Sequence, residues 1–278
     1  MVDTFIEVRN LSHSFGVKKV LDNISFQAEK GAVTGLLGPS GAGKTTLVNL
    51  LTGQLKPDTG EIRIGGRETG GGRPGIMMDS FGLYERLSVY ENLKIYARIY
   101  RVPERRIDEL LKKAELSGAG KTIVGRLSKG MRSRVNFCRA LLKETDILFL
   151  DEPTSGLDPA TTEKIHGMML EEKSGGTTIF LTTHNMHEAE RLCDKVILLN
   201  EGKIVEDGVP KEICRKYNSE NKIEVVLKNG EVHRIKNAGE SAGAMGKWLS
   251  GGEIVSIHSS EPDLEQVFLS ITGRRLWE

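Results

Sequence analysis

The sequence predicts an α/β protein built on a parallel sheet, with a small α+β unit appended. Three observations carry this. Apolar segments at 147–150, 178–182 and 196–199 alternate with helical stretches, the pattern of parallel strands joined by right-handed crossovers. An apolar segment at 32–37 runs into a glycine-rich turn and then a stretch of helical character from 46 to 51. Beyond Tyr217-Asn218-Ser219-Glu220 the pattern changes to a hairpin, 223–227 against 232–235, turned at Asn229-Gly230.

Taken in order, 5–8 and 24–26 read as short strands rich in aromatic and β-branched residues. The buried strand at 32–37 and the helix at 46–51 follow. Asp58-Thr59-Gly60 then turns the chain into an alternating strand at 61–64, closed by Gly65-Gly66. Gly70-Gly71-Gly72 reads as a loop tip without chemistry. Residues 88–115 are helical, and Pro103 marks the start of a second helix. Ile107, Leu110, Leu111 and Ala114 recur at i, i+3, i+4 and i+7, an apolar face that serves internal packing or a partner. Ser128 suits the N-cap of a helix running through Leu142. In the tail a helix at 242–249, a strand at 254–257 and a last helix follow, with Leu264, Val267, Phe268 and Ile271 on one face. The expected division is 1–217 and 218–278, the second part being near the lower size limit for independent folding.

Composition excludes several classes. Hydrophobic residues make up 38% of the 278 and charged residues 28%, enough for a packed core. With 39 basic and 38 acidic residues the net charge is +1, so no nucleic acid partner is expected. Cys138, Cys193 and Cys214 are an odd, widely spaced set, which fits neither a disulfide framework nor a zinc site and agrees with a reducing cytoplasm. The first residues lack the pattern of a signal peptide, and no apolar run approaches the roughly 20 residues that span a bilayer. Work at a membrane therefore needs another chain to supply the membrane part.

The run Gly38-Pro39-Ser40-Gly41-Ala42-Gly43-Lys44-Thr45 fits GxxxxGK[ST] between a strand and a helix. Its glycines let backbone N–H groups converge on phosphate oxygens, and the helix start adds its positive end. Lys44 is placed to reach the β- and γ-phosphates, the Thr45 hydroxyl to bind Mg²⁺, and the expected nucleotide contacts extend to Thr46. The strand at 147–150 ends in Asp151-Glu152. Asp151 suits a metal carboxylate, and Glu152 a general base for water. These residues by themselves define only a P-loop NTPase that uses Mg²⁺.

Further motifs narrow the class. Leu127-Ser128-Lys129-Gly130-Met131 precedes a helix upstream of the acidic strand. Pro153-Thr154-Ser155-Gly156-Leu157-Asp158 follows Glu152, and Thr182-Thr183-His184 ends the next strand. In this order they closely resemble the ATP-binding cassette (ABC) ATPases, over nearly all of residues 1–217. The resemblance implies a P-loop NTPase of ABC type: a RecA-like core, an antiparallel β subdomain and a helical subdomain at about 80–143. It implies that Ser128 and Gly130, in the loop the family usually writes LSGGQ, cap the γ-phosphate held by another subunit. Two ATPs are then sandwiched in a homodimer, or in a heterodimer with a second ABC ATPase. His184 matches the switch histidine, and Phe15 the adenine-stacking aromatic, with Val20 beneath it. On residue grounds alone Phe15 fits a core position equally well.

The sequence departs from the family at three places. Where the family has Gln, aligning on Phe81-Gly82-Leu83-Tyr84 puts Asp79, whose oxygen is expected to join the metal and catalytic set with altered hydrolysis or coupling. Lys129 and Met131 replace the usual Gly and Gln of the signature loop. The resemblance implies an ATPase on the cytoplasmic side of the membrane, driving transport through separate transmembrane permease subunits that dock near 81–91. The tail around 263–274 resembles that of drug, antibiotic-peptide and polysaccharide exporters, which favours export. The alternative is a soluble ABC ATPase acting on ribosomes or DNA. Such proteins typically carry two cassettes or a long coiled coil, and this sequence has neither. A module that holds ATP without turnover would lack Glu152 or His184, and both are present.

Overall fold

The structure is a computed structural model and describes residues 3–68, 73–78 and 82–273. The chain opens with β1 (Thr4–Phe15) and β2 (Lys18–Glu29), paired antiparallel. Both are far longer than the short strands read from the sequence. Asn10 and Asn23 adopt positive φ, 49° and 51°, where the pairing register shifts. These polar, bulged positions break the apolar alternation, yet cross-strand pairing carries the strands through them. β3 (Val33–Leu37) is buried along its whole length and leads to α1 (Lys44–Leu51). β4 (Thr59–Ile64) and the short β5 (Arg67–Glu68) complete an antiparallel sheet of order β2-β1-β4-β5.

β6 (Pro74–Met77) is followed by α2 (Val89–Tyr100), α3 (Arg105–Lys113) and α4 (Lys129–Ala140). Ser88 and Glu91 form a reciprocal capping box at the start of α2. Ile107, Leu110, Leu111 and Ala114 are all buried within the large core, so the α3 stripe is internal packing. Then come β7 (Ile147–Asp151), α5 (Pro159–Ser174), β8 (Thr178–Thr183), α6 (Met186–Leu192), β9 (Lys195–Asn200), β10 (Lys203–Gly208) and α7 (Pro210–Lys216). The second sheet has the order β10-β9-β3-β8-β7-β6. All its pairings are parallel except that of the edge strand β10 with β9.

Strand alternation divides this sheet between two cores. Leu148, Leu150, Ile179 and Leu181 point into a core shared with the helices, while Ile147, Phe149 and Phe180 point into one shared with α1 and the antiparallel sheet. A sheet covered on both faces requires the near-continuous apolar strands the sequence displays. Register places Leu37 beside Thr183 and Asp151 beside Thr182, so β3, β7 and β8 end together along one edge. Open parallel sheets bind their ligands at that edge.

The remaining chain forms β11 (Lys222–Leu227), β12 (Val232–Lys236), α8 (Ala242–Ser250), β13 (Ile254–Ser259) and α9 (Leu264–Thr272), with sheet order β12-β11-β13. α9 returns to the larger unit and packs on α6 and α7. Leu264, Val267 and Phe268 are buried in the large core, and the Leu264 N–H donates to Glu190 Oε1 at 2.7 Å. Among the described residues no helix is long and apolar enough to cross a membrane.

Candidate nucleotide site

The loop between β3 and α1 wraps the start of the helix. Gly43 holds φ at 110°, where a side chain would be strained and its Cβ would stand 2.8 Å from Leu21 Cδ2. As N-cap, Gly43 offers no side-chain oxygen to the first helical N–H groups of α1, so those donors stay available to an anion. Ser40, Gly41 and Thr45 are exposed, whereas Ala42 and Lys44 are buried. The cleft above the loop is lined by Ser40, Gly41, Gly43, Lys44, Thr45 and Thr46, with Lys18, Lys19 and Val20 on one side and Glu152 on the other. Gly38 and Pro39 contribute carbonyls: Lys44 Nζ donates to them at 2.6 and 3.2 Å. Phe15 stands outside the walls of this cleft at the end of β1, half-exposed and edge-on to His13 with ring centres 4.9 Å apart.

β7 delivers the acidic pair to the same place. The Thr45 hydroxyl donates to Asp151 Oδ2 at 3.2 Å, and the Thr182 hydroxyl donates to Asp151 Oδ1. Glu152 has φ of 50°, left-handed backbone that a non-glycine residue keeps only when its surroundings determine it. They do so here: its N–H is shared between the Thr182 carbonyl and hydroxyl, each at 3.1 Å. Its carboxylate spans two partners, with Oε1 3.6 Å from Lys44 Nζ and Oε2 2.7 Å from His184 Nδ1. The His184 side chain is 53% exposed, leaving its other nitrogen free to meet a ligand. Thr182 thus serves both acidic residues, a role sequence reading missed although it quoted the residue. The signal was its place on the neighbouring strand in register with Asp151.

Ser128 N-caps α4, its Oγ accepting from the Met131 N–H at 3.2 Å. Gly130 is pressed against α5, where a Cβ would meet Thr161 Cγ2 at 2.7 Å. Neither lines the cleft of its own phosphate loop. Asp79 and Phe81 lie outside the described residues, as do Gly70, Gly71 and Gly72. The strand leading to Asp79 is anchored by α4: Asn136 Nδ2 donates to the Met78 carbonyl at 3.2 Å and Arg139 to that of Ile76 at 2.8 Å.

A phosphate cradle at a helix start, a strand-end Asp beside its hydroxyl and a carboxylate bridging Lys and His define a P-loop nucleotide hydrolase. The model of the ABC transporter family matches residues 21–155. A fluoroquinolones export ATP-binding protein of Mycobacterium tuberculosis is 34% identical, over 98% of this chain and 94% of that one. Nod factor export ATP-binding protein I of a Rhizobium species is also 34% identical, over 98% of each. Among solved structures, a dimeric ATP-binding cassette in a post-hydrolysis state bound to ADP and Pi superposes with a TM-score of 0.67. That cassette is 26% identical, covering 73% of this chain and 98% of that one. The chain belongs to the ABC transporter family, as an ATP-binding subunit. It binds ATP and hydrolyses it.

Proposed function

We propose that this chain drives export across a membrane, from the cytoplasmic face, with Glu152 as the general base of ATP hydrolysis. The observation that carries the reading is the Glu152 carboxylate held between Lys44 and His184 at the edge where β3, β7 and β8 end. The loop's N–H groups hold the phosphates, and Lys44 leaves the Gly38 and Pro39 carbonyls to bridge the β- and γ-phosphates. Glu152 takes a proton from water as the water oxygen bonds to the γ-phosphorus, while the bond from that phosphorus to the β–γ bridging oxygen breaks. ADP and phosphate leave. His184 orients the water against the γ-phosphate.

The Thr45 hydroxyl and Asp151 carboxylate fit Mg²⁺, being hard oxygen donors 3.2 Å apart beside the cradle. Mg²⁺ is characteristically held by few protein oxygens together with nucleotide phosphates. Bound there, it supplies neutralisation of charge developing on the phosphate oxygens.

Because Ser128 and Gly130 lie away from their own cleft, their N-terminal anion site suits a nucleotide held by a second cassette. The dimeric relative supports pairing of two cassettes, and the separation of this anion site from its own cleft favours a head-to-tail arrangement, with a second copy or a second ABC ATPase. The two export relatives support the direction of transport, and their differing cargoes leave the substrate to the membrane subunits. Those subunits are proposed to dock near residues 81–91. In a steady-state assay with Mg²⁺, Glu152→Gln should lower kcat by about 100-fold or more while retaining ATP binding. Chelating the metal should abolish turnover of the unmodified chain. Wild-type turnover by Glu152→Gln would remove the base assignment.

A further inference from the structure

Behind the Glu152–His184 pair lies a second His–carboxylate pair, enclosed by protein. Glu188 on α6 and His166 on α5 are 3% and 4% exposed, with His166 Nε2 2.7 Å from Glu188 Oε1. The same oxygen accepts the Thr154 hydroxyl at 2.6 Å, while Glu188 Oε2 is buried without a hydrogen-bond partner. Burial pushes the Glu188 carboxyl up, but its hydrogen bonds, those with His166 and Thr154 foremost, outweigh it and hold the group below the usual range. Glu188 is therefore ionised at neutral pH, with partners on two separate segments of chain, α5 and the turn after β7.

Two residues bonded to Glu188 sit next to the reacting residues. Thr154 is two residues after Glu152, and Asn185, the N-cap of α6, immediately follows His184. The Glu188 backbone is fixed in turn, its N–H donating to the α6 N-cap Asn185 Oδ1 at 3.1 Å. His166 Nδ1 is buried without a hydrogen-bond partner, its nearest acidic oxygen being Glu163 Oε1 at 3.9 Å. A buried ring nitrogen left unpaired is unfavourable, and an apolar trio of similar volume would fill this space at least as stably. Packing alone does not account for the cluster.

We propose that Glu188, backed by His166, is a positioning residue for ATP hydrolysis. By holding the Thr154 hydroxyl on its carboxylate and the Asn185 side chain on its N–H, it fixes the spacing of Glu152 and His184. The left-handed backbone of Glu152 makes this spacing sensitive, because the turn that follows it must be held from behind. The inference rests on the roles of Glu152 and His184 given above.

The test is steady-state ATP hydrolysis and nucleotide affinity of the full chain carrying Thr154→Val or His166→Phe, each checked for folding by thermal melting. Thr154→Val keeps the β-branched shape and removes only the hydroxyl, so it serves even if His166→Phe fails to fold. A positioning role requires kcat to fall by about tenfold with KM and ATP affinity changed less than about twofold, since misplacement acts on the chemical step. His166→Gln, whose amide nitrogen reaches the place of Nε2, should restore most of the rate. Wild-type kcat in folded Thr154→Val, or equal losses in kcat and affinity, would overturn the proposal. Glu152→Gln run alongside separates the readings: if it is inactive while Thr154→Val is unimpaired, only the positioning role falls. If Glu152→Gln turns over normally, both fall.

Discussion

Thr182 shows how closely the site depends on single side chains. Its hydroxyl donates to Asp151 and accepts from the Glu152 N–H, so one oxygen sets both acidic residues at the end of β7. Thr182→Val keeps the shape but leaves Asp151 short of one donor. Hydrolysis should fall by about tenfold or more, and the metal concentration for half-maximal rate should rise. A metal titration of the ATPase rate measures both, and an unchanged curve would contradict the role. That Lys44, Thr45, Asp151 and Glu152 stand together was legible from fixed motif spacing, and the place of His184 beside them from the family resemblance. Thr182 and Glu188 were not, since their roles depend on which strands and helices are neighbours in space.

Among the elements, the junction of α4 with α5 ties the signature segment to the turn after β7. Gly130 leaves no gap against Thr161, and Thr161 in turn donates through its N–H and hydroxyl to Asp158, the N-cap of α5. Gly130→Val must displace Thr161 or tilt α4, at a cost of about 1–3 kcal/mol. Urea unfolding should show the shift, and activity should fall further than stability because Ser128 moves with the helix. Helices such as α3 were legible because an apolar stripe at helical period is unambiguous. β1 and β2 were legible only in part. Their asparagines and serines hide the alternation, and pairing with neighbouring strands, which no local pattern reports, determines their length.

At the scale of the whole molecule, the chain is read as one part of a larger machine. An affinity-tagged copy recovered from gently solubilised native membranes should bring a polytopic membrane protein with it. Recovery of ribosomes or DNA-processing proteins instead would leave the ATPase intact and remove the export reading. The α/β class was legible because strand and helix periods alternate plainly. The seating of α9 was not: its apolar face, Leu264, Val267, Phe268 and Ile271, reads the same whether it covers the small sheet or, as here, fills a place against α6 and α7.

That seating bears on how the protein is made. A chain emerging from the ribosome presents its earlier segments first. The surfaces of α6 and α7 that receive α9 stay bare while the hairpin, α8 and β13 are still being synthesised. Throughout that interval a nascent cassette with its phosphate loop already formed exposes an apolar seat, the kind of surface chaperones recognise. A stalled or prematurely terminated product lacking α9 would keep it.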